Sequence, residues 1–91
     1  MSGKRGRLKV VFDILNAISS NKNKIKPTPL LRYSNLSSQL FNRYIKELTE
    51  KKLLKVVNDA KGRKHFALTE KGYRYVEKYS SIVSFMNEFD M

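Results

Sequence analysis

The sequence predicts an α+β domain that is mainly helical, with three helices, a two-stranded hairpin and a longer last helix. Two observations lead to this prediction. Apolar residues recur at helical spacing before residue 52 and again after residue 69. Between these segments, two short runs rich in β-branched and aromatic residues are separated by a turn that contains glycine. The predicted order is therefore helix, helix, helix, strand, strand, helix.

The length of 91 residues, 41% of them hydrophobic, fits one domain with a modest core. We expect a flexible basic N-terminus over residues 1–6 and a folded domain over residues 7–79. The C-terminal helix, residues 69–91, is expected to begin within this domain and to continue beyond it. Cysteine is absent, which removes disulfides and thiol chemistry. The longest stretch without a charged residue, Tyr33 to Asn42, is far shorter than the roughly 20 apolar residues that a membrane span needs.

The first two helices are predicted from an apolar stripe and from a proline. The first is defined by apolar residues at helical spacing, and we expect it to end within residues 19–23, a polar cluster. Its stripe consists of Leu8, Val11, Phe12, Leu15 and Ile18. Thr28 is the expected N-cap of the second helix and Pro29 its first residue, because proline has no amide hydrogen to lose there. This short helix should end near Tyr33.

The third helix is expected to start at Ser37, its N-cap, and to run to about Lys51. Asn35 and Leu36 form the tight connection before it, so the two helices match a helix-turn-helix pattern. At about 100° per residue, its side chains separate into two faces that do not overlap. The apolar face, expected to anchor the helix on the core, consists of Leu40, Phe41, Tyr44, Ile45 and Leu48. The polar face consists of Ser38, Gln39, Asn42, Arg43 and Lys46.

The polar face of the third helix combines uncharged hydrogen-bonding side chains with two cations. Asn and Gln side chains pair with adenine edges in the major groove of DNA, and Arg pairs with guanine. We therefore predict that this face, together with Ser37, contacts DNA. The alternative is a solvated face on which Ser and Asn act only as caps. The preceding helix, the hairpin and the net charge favour the DNA-binding interpretation.

The hairpin is predicted from the runs "LLKVVND" and "KHFAL", which are separated by "AKGR". Its turn contains Gly62, and Lys61, Arg63 and Lys64 lie in or beside it. A basic hairpin tip is suited to contact phosphates or to enter the minor groove, although a solvated turn has a similar composition. His65 is the only histidine, and without a second histidine or a cysteine we assign it neither a metal nor a catalytic role.

The segments "TPLLRYSNLSSQLFNRYIKELTEKKLL" and "FALTEKGYRYVEKY" resemble the archaeal winged helix-turn-helix DNA-binding proteins of the small basic 10a type and related stand-alone regulators. The resemblance covers roughly residues 7–80. It implies that Ser37 to Lys51 is the recognition helix, that Lys61 to Lys64 form the wing, and that the protein dimerises through its last helix. Related sequences tend to have glycine where Lys52 stands. A left-handed C-cap costs a non-glycine residue about 1 kcal/mol, so either this turn differs or it tolerates the strain.

The last helix is expected to follow Thr69, its N-cap, and to reach toward the end of the chain. Its apolar side chains recur at spacings of four and three, as in a coiled coil. The first half of this stripe should cover the core of the domain, and residues 80–91 should pair with a second copy. Covering the core of a monomer is the alternative. The predicted dimerisation residues are Tyr75, Val76, Tyr79, Ile82, Val83, Met86 and Phe89.

The balance of 19 Lys and Arg against eight Asp and Glu gives a formal charge of +11, which favours a polyanionic partner. We expect a homodimer that binds double-stranded DNA as a transcriptional regulator, in the cytoplasm and associated with the nucleoid. The alternatives are a general chromatin or architectural binder, and a winged-helix module that binds protein or RNA. An enzyme is not expected, because the sequence has a single histidine, no cysteine and no glycine-rich phosphate loop. We expect no cofactor, no metal, no small-molecule ligand and no membrane partner.

Overall fold

The computed structural model describes residues 5–91, so the first four residues of the expected flexible N-terminus lie outside the described residues. The elements follow the predicted order of three helices, a hairpin and a last helix. They are α1 (Arg7–Ser20), α2 (Pro27–Ser34), α3 (Ser38–Glu50), β1 (Leu54–Asn58), β2 (Lys64–Leu68) and α4 (Glu70–Glu88). No helix in residues 5–91 is both long enough and apolar enough to cross a membrane.

The hydrophobic core is built around α1, with buried residues from α2, α3, β1 and β2, and α4 packs against it. Its buried side chains on α1 are Val10, Val11, Ile14, Leu15 and Ile18. The buried face of α1 is rotated relative to the apolar stripe predicted from the sequence. Two residues of that stripe are not buried: Leu8 is 63% exposed and Phe12 is half-buried. Both residues lie at the margin of the arc that the buried residues occupy at 100° per residue. The remaining core residues are Ile25, Leu30, Phe41, Leu48, Leu53, Leu54, Phe66 and Leu68.

The start of α2 differs from the prediction. The helix begins at Pro27, with Lys26 as an extended N-cap residue, so Thr28 is not the cap and Pro29 is not the first helical residue. The first four amides of a helix have no partner within the helix. Both prolines therefore fit into the first turn without the loss of a hydrogen bond, and the sequence alone did not distinguish which of them starts the helix.

The turn between α2 and α3 is fixed by a left-handed residue and by a buried serine. Asn35 has φ 57°, a conformation that asparagine tolerates better than most residues. The Ser34 hydroxyl donates to the Leu31 carbonyl at 2.7 Å and accepts from the Leu36 amide at 3.3 Å. The Arg5 guanidinium also donates to the Ser34 carbonyl, at 2.6 Å. These bonds hold α2 and α3 at a defined angle.

The hairpin pairs β1 and β2 in antiparallel register, from Leu54 opposite Leu68 to Asn58 opposite Lys64. A β-bridge joins Ile25, just before α2, to Phe66 on the other side of β2. The hairpin is thereby tied to the helix-turn-helix unit.

Lys52 has φ 61° and terminates α3 in the left-handed conformation that the family resemblance suggested. Its amide donates to the Thr49 carbonyl at 3.0 Å, and the Leu53 amide donates to the Leu48 carbonyl at 2.9 Å. This pair of bonds is a Schellman motif. The turn is therefore built in the expected way, with lysine in place of glycine, and the Thr69 hydroxyl donates to the Lys52 carbonyl at 2.5 Å.

Candidate nucleic-acid interface

α3 is capped as predicted and is held on the core by two buried side chains. The Ser37 hydroxyl accepts the Leu40 amide at 3.2 Å, which satisfies one of the first amides of the helix. Phe41 and Leu48 are buried against the core. The opposite face of the helix is exposed over its whole predicted set, namely Ser38, Gln39, Asn42, Arg43 and Lys46. These five side chains share one solvent-facing surface.

The buried face that anchors α3 on the core is narrower than the sequence predicted. Leu40 is 37% exposed, so its assignment to the anchor was wrong, and Tyr44 and Ile45 are only half-buried. At 100° per residue, Phe41 and Leu48 lie near the centre of the apolar arc, whereas Leu40 lies at its edge, beside Arg43. Leu40 therefore borders the polar face instead of supporting it.

The net charge of the α3 surface depends on Glu47, an acidic residue next to the polar face whose charge is neutralised by two cations. Glu47 forms ion pairs with Arg7 of α1 and with Lys51, the latter at 2.9 Å. The Arg7 guanidinium also lies over the Tyr44 ring, 5.7 Å from its centroid. Within residues 5–91, Arg43 and Lys46 have no carboxylate within 4.0 Å. The exposed polar face consequently carries two uncompensated positive charges.

The hairpin turn is organised by one carboxylate. Asp59 accepts the Lys61 and Arg63 amides, each at 2.8 Å, and the Arg63 Nε at 2.9 Å. The bond from the Arg63 amide is the main cause that lowers the pKa of Asp59 below its usual value. Gly62 has φ 76°, so glycine suits this position without strain.

The three predicted wing cations are exposed but are not equivalent. Arg63 is paired with Asp59, whereas Lys61 and Lys64 have no carboxylate partner in the part of the chain that the structure describes. The turn therefore presents two lysines and one arginine whose charge is partly compensated. His65 is buried in β2 next to this turn. Within residues 5–91 there is no group of three or more acidic, histidine or cysteine side chains that could hold a metal ion.

The comparison with known families agrees with this arrangement of helices and hairpin. A family model described as winged helix-turn-helix matches residues 4–87. The chain belongs to the winged helix-turn-helix family. The predicted fold and the predicted class of DNA-binding domain are thereby confirmed. No curated protein sequence matches the chain.

Three solved structures illustrate how widely this winged-helix fold is shared. Sso10a-2, a DNA-binding protein from Sulfolobus solfataricus, is 20% identical, with a TM-score of 0.74 over 93% of this chain and 85% of its own. F93 from STIV, a winged-helix DNA-binding protein, is 22% identical, with a TM-score of 0.72 over 88% of this chain and 91% of its own. MepR, a transcription regulator of a Staphylococcus aureus efflux pump, is 21% identical, with a TM-score of 0.78. That match covers 88% of this chain but only 60% of MepR.

The first half of α4 packs on the winged-helix domain through aromatic contacts. Tyr79 stacks on Phe12 of α1 with ring centroids 4.6 Å apart. The Tyr75 hydroxyl donates to the Leu8 carbonyl at 2.8 Å, and burial raises the pKa of Tyr75. Tyr75 and Val76 pack against the core. These residues of the predicted dimerisation stripe therefore make contacts within their own domain.

The second half of α4 extends an apolar face into solvent. Ile82 is 57% exposed and Phe89 is 56% exposed, while Val83 is half-buried and Met86 is exposed. The sequence prediction missed Phe85, which is also 56% exposed and lies 5.0 Å from Phe89 between ring centroids. Its spacing of three from Ile82 and four from Phe89 is the signal that identifies it as part of the same face.

Proposed function

We propose that the protein is a transcriptional regulator that binds double-stranded DNA as a homodimer. In this proposal α3 enters the major groove, and the wing contacts the phosphate backbone or the minor groove. The observation that carries the proposal is the polar face of α3, which is exposed at all five predicted positions on a helix that Phe41 and Leu48 hold on the core. A preorganised helix of this kind loses little backbone freedom when it binds. Within the proposal the chain is a binding protein and not an enzyme.

The residues proposed to contact DNA divide into two groups with different roles. Gln39, Asn42 and Arg43 have the side chains that hydrogen-bond to base edges. Lys61 and Lys64 of the wing are point charges suited to phosphates, and Arg63 joins them if DNA displaces Asp59 from its guanidinium. The remaining proposed contacts, with bases or phosphates, are made by Ser37, Ser38 and Lys46.

The proposed dimer forms through the second half of α4. An apolar face of four large side chains on two successive turns is unusual for a solvated helix. Pairing with the same segment of a second copy would cover Ile82, Phe85, Met86 and Phe89. A two-fold axis between the helices would set the two recognition helices to read half-sites about one turn of DNA apart.

A general chromatin or architectural binder is the second candidate. The observation that favours it is the distribution of positive charge, which extends well beyond α3 and the wing onto α1, α2 and the segment between them. A sequence-specific regulator discriminates strongly between operator and random DNA, whereas an architectural protein does not. An archaeal origin and a location on the nucleoid are part of both proposals, and both agree with the likeness to Sso10a-2.

Competition binding tests the proposed function. Labelled duplex DNA is bound at several salt concentrations and then challenged with unlabelled duplex, single strands or structured RNA. We expect the duplex to compete best, and log affinity to fall by about 0.9 per neutralised phosphate for each unit of log salt. Preferential competition by RNA, or an affinity that does not respond to salt, would contradict duplex binding. A selection from random duplexes then separates the regulator, which enriches a motif, from the architectural binder.

A further inference from the structure

The hairpin has one face that packs on the hydrophobic core and a second, outer face whose residues are not part of the core cluster. His65 and Ala67 of β2 are buried, yet neither belongs to the core cluster, whereas their neighbours Phe66 and Leu68 do. Successive side chains of a strand point to opposite faces. His65 and Ala67 therefore lie on the face of β2 that is turned away from the core.

Three lysines surround these two residues. Lys55 of β1 is directly opposite Ala67, and directly opposed residues in an antiparallel pair share a face. On the other side of β2, Ile25 is bridged to Phe66 and is buried, while Lys24 and Lys26 on either side of it are exposed. Continuing the antiparallel register places Lys24 beside Ala67 and Lys26 beside His65. We call Lys24, Lys26 and Lys55 the outer-face lysines.

The outer-face lysines are uncompensated. In the described part of the chain, none of them lies within 4.0 Å of a carboxylate, whereas Arg5, Arg7, Lys9, Lys51, Arg63 and Arg74 all do. The Lys55 and Lys24 side chains flank the small Ala67 from two sides. Three lysines thus lie on one sheet face, which also holds the exposed Val57 opposite His65. The acid nearest to this face, Asp59, is engaged by Arg63.

This face is continuous with the tip of the wing. Lys64 of the tip is on the same face of β2 as Phe66, and the outer face begins at the next residue, His65, and extends to Ala67, over about 7 Å at about 3.3 Å per residue. A backbone that contacts the tip lysines can therefore continue along the outer face.

We propose that the outer-face lysines form a second contact surface for the DNA backbone, which binds the part of the duplex that flanks the segment under α3. This inference rests on the proposed function and extends the footprint of each subunit beyond the recognition helix and the wing tip. The contacts are with phosphates, because lysines on a sheet face act as point charges. They add affinity without adding sequence preference.

The test compares a short duplex of about one helical turn with one of about three turns, because only the longer one has flanking phosphates to reach this face. The variant carries Lys24→Ala, Lys26→Ala and Lys55→Ala. On the long duplex we expect its salt slope to be shallower than that of the wild type by about 0.9 for each lost contact. On the short duplex we expect the two slopes to agree. The salt slope is compared instead of the affinity. A longer duplex offers more overlapping binding sites, which raises the apparent affinity but not the slope.

The matched control removes the same charge elsewhere, with Lys71→Ala, Arg74→Ala and Lys78→Ala on the exposed surface of α4. This control should keep the wild-type salt slope on both duplexes. A variant with arginine in place of Lys24, Lys26 and Lys55 should also keep the wild-type slope. An equal loss in both alanine variants would overturn the proposal, because it would show only an effect of net charge. An unchanged slope on the long duplex would overturn it as well.

Two further measurements distinguish related outcomes. If the outer-face variant binds one duplex normally but no longer co-captures a second labelled duplex, the surface binds separate DNA and the flanking contact is wrong. Arg43→Ala combined with Lys46→Ala should weaken binding to both duplex lengths. Unchanged binding in that variant would count against the proposed function itself, independently of the outer face.

Discussion

The carboxylate of Asp59 closes the wing turn by accepting the amide of Arg63 at 2.8 Å and its Nε at 2.9 Å. One residue therefore fixes both the backbone of the turn and the direction of a cation. Because the Asp59 backbone amide also donates to the Arg63 carbonyl at 2.9 Å, the two residues clamp the loop from both sides. The wing cations are presented on a loop that is ordered by its own side chains.

Replacing Asp59 tests this clamp through its pH dependence. The folded-state pKa of Asp59 is below its ordinary value of 3.8, so its carboxylate stabilises the fold above that value. This contribution is lost as the pH falls through the lower, folded-state pKa. We expect Asp59→Asn to lower Tm at neutral pH, and the difference from the wild type to shrink in acid. Thermal melts across this range check the prediction, and a difference that does not change with pH would contradict it.

Arg43 and Lys61 should respond differently to removal. If Arg43 contacts a base, Arg43→Ala relaxes the sequence preference at one position of each half-site, at a cost of about 1–3 kcal/mol in discrimination. Lys61→Ala should weaken binding to all sequences alike and reduce the salt slope by about 0.9. Affinities for a panel of single-base variants of a selected site measure both effects. The assignment of roles fails if the two variants show the same profile.

Lys52→Gly should stabilise the protein. Lysine at φ 61° is strained by about 1 kcal/mol relative to glycine, and position 52 lies outside the regular part of α3. Part of this gain is offset because glycine increases the conformational entropy of the unfolded chain. We expect a net increase of up to about 1 kcal/mol in the free energy of unfolding, measured by urea denaturation. Lys51→Gly is the matched control. Lys51 has φ −82°, so glycine relieves no strain there, and we expect this variant to have a lower free energy of unfolding.

Phe85→Ser and Phe89→Ser should disrupt the proposed dimer without unfolding the domain, because both side chains are more than half exposed. We expect sedimentation to show a dimer for the wild type and a monomer for the double variant. Affinity for DNA with two half-sites should fall with it, while affinity for a single half-site is retained. A wild-type protein that remains monomeric at high micromolar concentration would end the dimer proposal.

Truncation after Tyr79 gives a second test of the same face. The retained residues include Tyr75, Val76 and Tyr79, which pack on α1 and the core, so the domain should still fold. DNA binding should weaken more than thermal stability does. An undiminished affinity for paired half-sites would mean that residues 80–91 do not join two subunits.

The local signals in the sequence were sufficient wherever a single side chain sets the local structure. Ser37 and Thr69 cap α3 and α4 because each hydroxyl accepts the amide three residues later in the first turn. Gly62 marks the wing turn because it adopts a positive φ without strain. The two faces of α3 follow from helical geometry alone. These features required no knowledge of what packs against them.

The sequence was less informative where two positions could satisfy the same rule. Pro27 and Pro29 both fit the first turn of a helix, and the register of α2 was decided by the position of its segment between the Ile25 bridge and the buried Leu30. Leu40 is apolar and lies on the expected side of α3, but the core reaches only as far as Phe41 and Leu48. The width of a buried face is set by the elements that cover it.

The sequence by itself determined the order of elements, the caps of α3 and α4, the wing turn and the polar face of α3, because each depends on residues close together in the chain. Only the tertiary structure decided that Arg7 neutralises Glu47, that Tyr79 stacks on Phe12, and that Lys24 and Lys55 lie on either side of β2. These pairs are separated by 31 or more positions, and no local rule relates such residues. The charge that DNA would encounter is therefore a property of the folded chain.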